Sequence, residues 1–262
     1  MKKIGIKRSY LAMPYTVYLM LFIFIPMLFI IYFSFVDSKG GFTFDNIVKV
    51  LTSSESIGTF LLSIFYGAIT TGICFLLGYP VAYILSQKRF KMKNIIIVLF
   101  ILPMWVNFMI RTLALEYLFE SLNITLGAGT AMFGLVYDFL PFMILPIYTT
   151  LLKIDKNLIE ASEDLGANPK TVLFKTILPL SVPGIISGAL MVFMPSITAY
   201  AITETLSDGT FNLIGNLINM SFFNNKGYSS ALAIVMLVLI FISMMISYKF
   251  NDKSELQGGG LW

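Results

Sequence analysis

Six stretches of the chain are apolar and nearly free of charge: residues 11–36, 57–86, 95–110, 131–152, 182–202 and 231–248. Each approaches the ~20 residues needed to cross a hydrocarbon core about 30 Å thick. Backbone N–H and C=O groups in lipid must find partners inside their own segment, and helices do this. The pattern therefore predicts an all-α, polytopic membrane protein with six transmembrane helices. The third stretch is short, so its helix is expected to run on past Arg111 toward Phe119. Lys2, Lys3, Lys7 and Arg8 precede the first stretch, as in a secretory signal. Its apolar run is longer than a signal's, and no small-x-small cleavage site follows, so it reads as a retained helix.

The polar positions between these stretches set the orientation. Basic residues gather in the N-terminus, in residues 87–94 (Lys88, Arg89, Lys91, Lys93), in residues 153–176 (Lys153, Lys156, Lys170, Lys175) and in the tail (Lys249, Lys253). The alternate side has only Lys39, Lys49, Arg111 and Lys226. By the positive-inside rule both termini are expected in the cytoplasm. The chain reads as one membrane domain, 1–262, without internal repeats.

Composition agrees. Of 262 residues, 57% are hydrophobic and 12% charged, about half the charge of an average soluble domain. The formal net charge of +4 follows the membrane sidedness and does not point to nucleic acid. With no histidine and one cysteine, Cys74, imidazole chemistry, disulfides and Cys-rich metal sites are excluded. No catalytic or metal-ligating set is expected. Prolines inside the apolar stretches (Pro26, Pro80, Pro103, Pro141, Pro146, Pro195) remove backbone donors and favour kinks. Gly184 and Gly188 stand four apart, a spacing that lets helices approach closely.

One polar stretch is not demanded by the bilayer: Glu160-Ala161-Ser162-Glu163-Asp164-Leu165-Gly166, running on to Leu178-Pro179. Asp155 or Asn157 can cap a first short helix, and the acidic Glu160 suits its positive end. Small side chains at Ala161 and Ser162 admit a close neighbour. Gly166 can take the left-handed conformation that ends a helix. Asn168-Pro169 then starts a second helix, spanning Thr171 to Leu178, which Pro179 is expected to end. An ordinary helical hairpin and a docking loop are both compatible with this geometry.

Glu160, Ala161, Gly166, Leu178 and Pro179 fall at the positions of the EAA motif, so the chain resembles the permease subunits of ABC importers. Ser162 stands where that pattern has a third small residue, and Thr176 where it has isoleucine. The resemblance implies the type I importer permease fold and makes residues 153–179 the loop that docks onto ATP-binding subunits. Leu102-Pro103-Met104-Trp105-Val106-Asn107, Gly134-Leu135-Val136-Tyr137 and Asn212-Leu213-Ile214-Gly215-Asn216 are similar to the spermidine/putrescine permease branch, the PotB type. The stretch between Arg111 and Gly134 is shorter than in that branch, which puts the difference at the outer mouth. Implied partners are a second, distinct but related permease, two ATP-binding subunits and an extracytoplasmic solute-binding protein, with lipid around the whole. The chain has no GxxxxGK[ST] loop, so ATP and Mg²⁺ are expected on the partner ATPase and no cofactor on this chain.

Within the spans one acid stands out. Asp138, flanked by Tyr137 and Phe139, lies well inside the fourth stretch. A carboxylate there is expensive and faces a cavity or a partner. A substrate pathway with Asp138, Tyr137 and Trp105 as its acid and aromatic walls is one expectation; a hydrogen bond that only packs two helices is the other. Arg111, Glu116 and Glu120 read as a solvated helix end. Two other function classes have signatures of their own. An ion- or proton-coupled secondary transporter would show inverted repeats and midplane ion sites. An intramembrane aspartyl protease needs a second Asp in Gly-x-Gly-Asp, and a serine hydrolase needs Gly-x-Ser-x-Gly; neither pattern occurs.

Overall fold

The computed structural model describes residues 13–37, 40–87 and 92–258. The N-terminal basic cluster, Lys39, Lys88, Arg89, Lys91 and the last glycines, Gly259 and Gly260, lie outside the described residues. In chain order the helices are α1 (Pro14–Ser34), α2 (Asp45–Thr52), α3 (Ser54–Ser86), α4 (Lys93–Trp105), α5 (Phe108–Ser121) and α6 (Ala128–Lys153). They continue with α7 (Lys156–Asp164), α8 (Pro169–Leu180), α9 (Val182–Thr198), α10 (Tyr200–Ser207), α11 (Ile214–Asn224) and α12 (Lys226–Gly258). Among the described residues there is no strand, only an isolated antiparallel bridge between Val36 and Phe42. The protein is all-α.

Four helices, α1, α3, α6 and the Lys226–Met245 part of α12, are long and apolar enough to cross a membrane. Two further apolar runs are bent pairs, α4 with α5 at 95° and α8 with α9 at 65°. Counting each pair as one span gives the six expected from the sequence. The third span, however, is not the continuous helix expected past Arg111. Val106 turns extended, and Asn107 restarts the chain as α5 by accepting the Met109 N–H on its Oδ1 at 2.8 Å. The fifth is likewise shorter than 182–202, because α9 stops at Thr198 and Ala199 interrupts before α10. Conversely, α3 runs through Pro80, and α6 through Pro141 and Pro146. A proline removes one ladder bond, and packed neighbours can carry a helix across that loss.

The chain forms two compact units. The first comprises Met1–Ile57 and Leu217–Leu239. In it α1 turns Phe22, Phe24, Leu28, Phe29 and Tyr32 outward, the inverse of a soluble helix and the arrangement that lipid selects. After α1, Asn46 is buried and donates through Nδ2 to Ser34 O at 3.2 Å and Val36 O at 3.0 Å. These bonds take up carbonyls left open at the helix end. Phe35, Phe42 and Phe44 cluster ring on ring over this turn.

The second unit comprises Gly58–Asn216 and Ile240–Trp262 and holds the central helix α6. Leu135, Met143, Ile144 and Ile147 of α6 are fully buried. Helix α9 lies close against α6 because Gly184 and Gly188 face it. A Cβ at Gly184 would stand 2.5 Å from Thr150 Oγ1 and 2.8 Å from Pro146 O; one at Gly188 would stand 2.9 Å from Met143 Sδ. The break after α9 is closed by Asn216, which is buried. Its Oδ1 accepts from Thr203 Oγ1 at 2.7 Å and Leu213 N at 3.2 Å, while Nδ2 donates to Glu204 Oε2 at 2.8 Å and Tyr200 O at 3.3 Å. Every polar site of that amide is used.

Overpacking at such a contact costs about 1–3 kcal/mol. Gly188→Ala is therefore expected to lower the thermal midpoint of the purified permease, and Gly184→Leu to prevent its accumulation. Gly72→Ala, whose Cβ would meet open space, is the control. Equal midpoints for Gly188→Ala and Gly72→Ala would show that the close approach is not tight.

Candidate functional site

Two places in the second unit gather the residues that the sequence singles out. The first is the loop from α6 to α9. Asp155 caps α7 by accepting the Asn157 N–H on Oδ1 at 3.0 Å. At the other end Gly166 has φ +84°. Its N–H donates to Glu163 O at 2.8 Å, and the Ala167 N–H to Ser162 O at 3.2 Å. This paired closure of a helix end places a glycine at the left-handed position. Asn168 then opens α8, its Oδ1 accepting from Thr171 N at 2.8 Å and Thr171 Oγ1 at 2.9 Å, with Pro169 at the first helical position.

The second helix of the loop differs from expectation in its end. It runs through Pro179 to Leu180, after a wide turn over Leu173–Ile177. The chain breaks instead at buried Ser181, whose Oγ donates to Leu178 O at 2.8 Å and lies 3.1 Å from Tyr79 Oη. One lost backbone bond does not by itself end a helix that packed neighbours support.

Glu160, Ala161, Gly166 and Pro179 are exposed; Ser162 and Leu178 are half-buried. Leu165, at the tip, is 89% exposed. The sequence reading passed over this leucine, although an apolar side chain beside a turn glycine was the available signal. Behind α7 lies a cavity of about 560 Å³. Glu160 and Glu163 line it from one side, Tyr83 and Leu151 from another, and Pro169 and Val172 from the third.

Ser162 and Thr176, the two positions that depart from the EAA pattern, touch each other. Ser162 Oγ donates to Leu158 O at 2.8 Å and is 3.0 Å from Thr176 Oγ1, which can donate to it. The bond between the two hydroxyls ties α7 to α8.

The second place is a cavity of about 660 Å³ between the two broken helices and α6. Val106 and Asn107 line it from one break, Ala199 from the other. Non-helical backbone at membrane depth is tolerated where it faces protein or a cavity. Phe108, Phe139 and Phe142 supply apolar wall, and Arg111 and Asp138 are its charged residues. Arg111 is not at a solvated helix end, as the sequence suggested. Its side chain is 11% exposed, and Nη2 stands 3.0 Å from Asp138 Oδ1, itself on a side chain 4% exposed. The burial of Asp138 turned α5 inward, because a charge in a dry wall requires a countercharge. Glu120 remains exposed and Glu116 half-buried.

The pair is close but not aligned as a hydrogen bond. Asp138 Oδ1 and Arg111 Nε and Nη1 are buried without hydrogen-bond partners. Arg111 Cζ also stands 5.9 Å from the centre of the Tyr137 ring, within cation–π range. Of the three residues expected to form a pathway, Asp138 and Trp105 line the cavity, with Trp105 82% exposed. Tyr137 contacts Arg111 instead. Among the described residues no group of three or more Cys, Asp or Glu side chains could hold a metal ion.

Residues 75–255 match the model of the family described as "Binding-protein-dependent transport system inner membrane component". The chain is 33% identical over 269 residues to the "Spermidine/putrescine transport system permease protein PotB" of Escherichia coli (strain K12), covering 92% of this chain and 98% of that one. Among solved structures it is similar to a chain of the inward-facing MetNI methionine ABC transporter, with TM-score 0.60 and 18% identity over 78% of this chain and 99% of that one. It is also similar to a chain of the bacterial alginate ABC transporter in complex with an alginate pentasaccharide-bound periplasmic protein. There the TM-score is 0.66 at 13% identity, over 93% of this chain and 94% of that one. The fold is that of ABC-importer permeases.

For the loop the expected outcome is a coupled pair. In a double-mutant cycle on the purified permease, Ser162→Ala and Thr176→Ile should show a coupling of about 0.5–1.5 kcal/mol. The doubly substituted loop should be more stable than the sum of the single changes. Zero coupling would show that the two hydroxyls act independently.

Proposed function

The chain belongs to the family of binding-protein-dependent transport system inner membrane components, and from that premise we propose that it is one permease subunit of an ATP-driven polyamine importer. Membership makes it a multi-pass inner-membrane protein and sets the secondary-transporter reading aside. The polyamine reading is supported by the name of the Escherichia coli relative, matched over 98% of its length. The observation that carries it physically is one buried carboxylate, Asp138, on a cavity with phenylalanine walls. A polyamine is a flexible chain with ammonium groups, which need a carboxylate and can lie against aromatic faces.

The complete importer in this proposal has a second, related but distinct permease, two ATP-binding subunits and an extracytoplasmic solute-binding protein. ATP and Mg²⁺ sit on the ATP-binding subunits, and this chain does no hydrolysis. Residues 153–179 dock onto an ATP-binding subunit. The exposed stretch from Glu160 to Gly166, with the Leu165 side chain at its tip, offers a rigid face with an apolar anchor. The basic-residue asymmetry supports a cytoplasmic position for this loop and for both termini.

Uptake of labelled spermidine by the full complex should be competed by excess unlabelled spermidine or putrescine. Uptake of another solute, untouched by either polyamine, would overturn the substrate while leaving the importer.

Sidedness and docking are tested together with Ala161→Cys. In intact cells an impermeant maleimide should leave it unlabelled, and in inverted vesicles a short crosslinker should join it to the ATP-binding subunit. Labelling from outside would reverse the orientation, and failure to crosslink in a complex that hydrolyses ATP would remove the docking assignment.

A further inference from the structure

The cavity that would pass a cation already contains one. Arg111 holds Asp138 through a single nitrogen at 3.0 Å, without hydrogen-bond alignment, and its Nε and Nη1 have no protein partner. A buried arginine kept only for stability would be expected to spend its fork on the carboxylate, since the bidentate form is the strong one. Here the carboxylate is held loosely, on the wall of a space of about 660 Å³. The Tyr137 ring, 5.9 Å from the guanidinium carbon, holds Arg111 while it stands beside Asp138.

We propose that Arg111 is an internal substitute for the substrate's ammonium group, and that substrate passes by exchanging with Arg111 on Asp138. The inference rests on the proposed polyamine reading and deepens it by naming the specificity-determining pair. The physical need is plain. An unpaired carboxylate in a dry cavity would be a deep trap for a cation, binding it well and releasing it slowly. A carboxylate locked permanently to its countercharge would reject it. With Arg111 competing, Asp138 is neutralised before substrate arrives and after it departs, so the site is never an uncompensated charge. No bond is made or broken; one cation replaces another.

Competition of this kind lowers the apparent affinity by the fraction of time that Asp138 is free. Removing the competitor should therefore tighten binding and slow release. The measurement is binding of labelled spermidine to the full membrane complex in lipid nanodiscs, without the solute-binding protein, alongside uptake in proteoliposomes with it. If Asp138 is free about one-tenth of the time, Arg111→Gln should bind spermidine about tenfold more tightly, while its maximal uptake rate falls. Arg111→Lys, which keeps the competing charge, should not show the tightened binding. Arg111→Gln combined with Asp138→Asn should lose the tightened binding. A merely structural pair predicts no gain in affinity for Arg111→Gln, and affinity equal to or below the parent's would overturn the exchange.

Should Arg111→Gln not assemble, Tyr137→Leu provides the second reading. It removes a contact that holds Arg111 beside Asp138, so Arg111 leaves more readily and spermidine binding tightens. Unchanged binding by Tyr137→Leu would overturn the proposal. Failure of polyamines to compete for uptake by the parent would sink the substrate alone. The same binding series with ethylammonium, a plain ammonium ion, then reads the exchange by itself.

Discussion

A backbone in hydrocarbon has no water to bond, and this constraint organises the protein. It makes every span a helix, because a helix satisfies its own N–H and C=O groups. It also makes each interruption expensive, so the interruptions need support. In the second unit both breaks in the apolar runs, at Val106–Asn107 and at Ala199, open onto the same cavity. Asn107 and Asn216 carry the side-chain amides that serve them. Asn107 restarts α5, and Asn216 uses all its polar sites to fasten α10 to the start of α11. Irregular backbone and the amides that close it belong to one arrangement.

The same constraint governs charge. Asp138 and Arg111 pair on the wall of that cavity at 3.0 Å, and removing one partner of a buried pair typically costs about 3–5 kcal/mol. The pair is thus held in place by the penalty for separating it more than by its geometry, which is loose. A cation able to replace Arg111 would avoid that penalty. A solute that cannot must leave the pair intact.

In the loop outside the spans, water is available and the logic is local. Gly166 and Asn168 end one helix and begin the next within three residues. The Ser162–Thr176 contact shows how a motif can change at two positions and keep its shape. Both departures, read singly, weaken the resemblance to the EAA pattern. In space the two residues meet as one hydroxyl pair.

The spans, the all-α class, the loop with its turn glycine and the family were legible in the sequence, because each depends on neighbours along the chain. Apolar run length, cap residues and motif spacing are local quantities. What the sequence left undecided depends on partners distant in the chain. Pro80, Pro141 and Pro146 were expected to favour kinks, yet α3 and α6 run through them, because only packing decides whether a lost backbone bond becomes a break. The 95° bend after Trp105 turns α5 so that Arg111, assigned to a solvated end, meets Asp138 27 residues further on. Sequence determined that a carboxylate lay in the membrane and needed a partner. Which side chain answers it was decided by the tertiary structure, since a charge selects its counterion by distance in space and not along the chain.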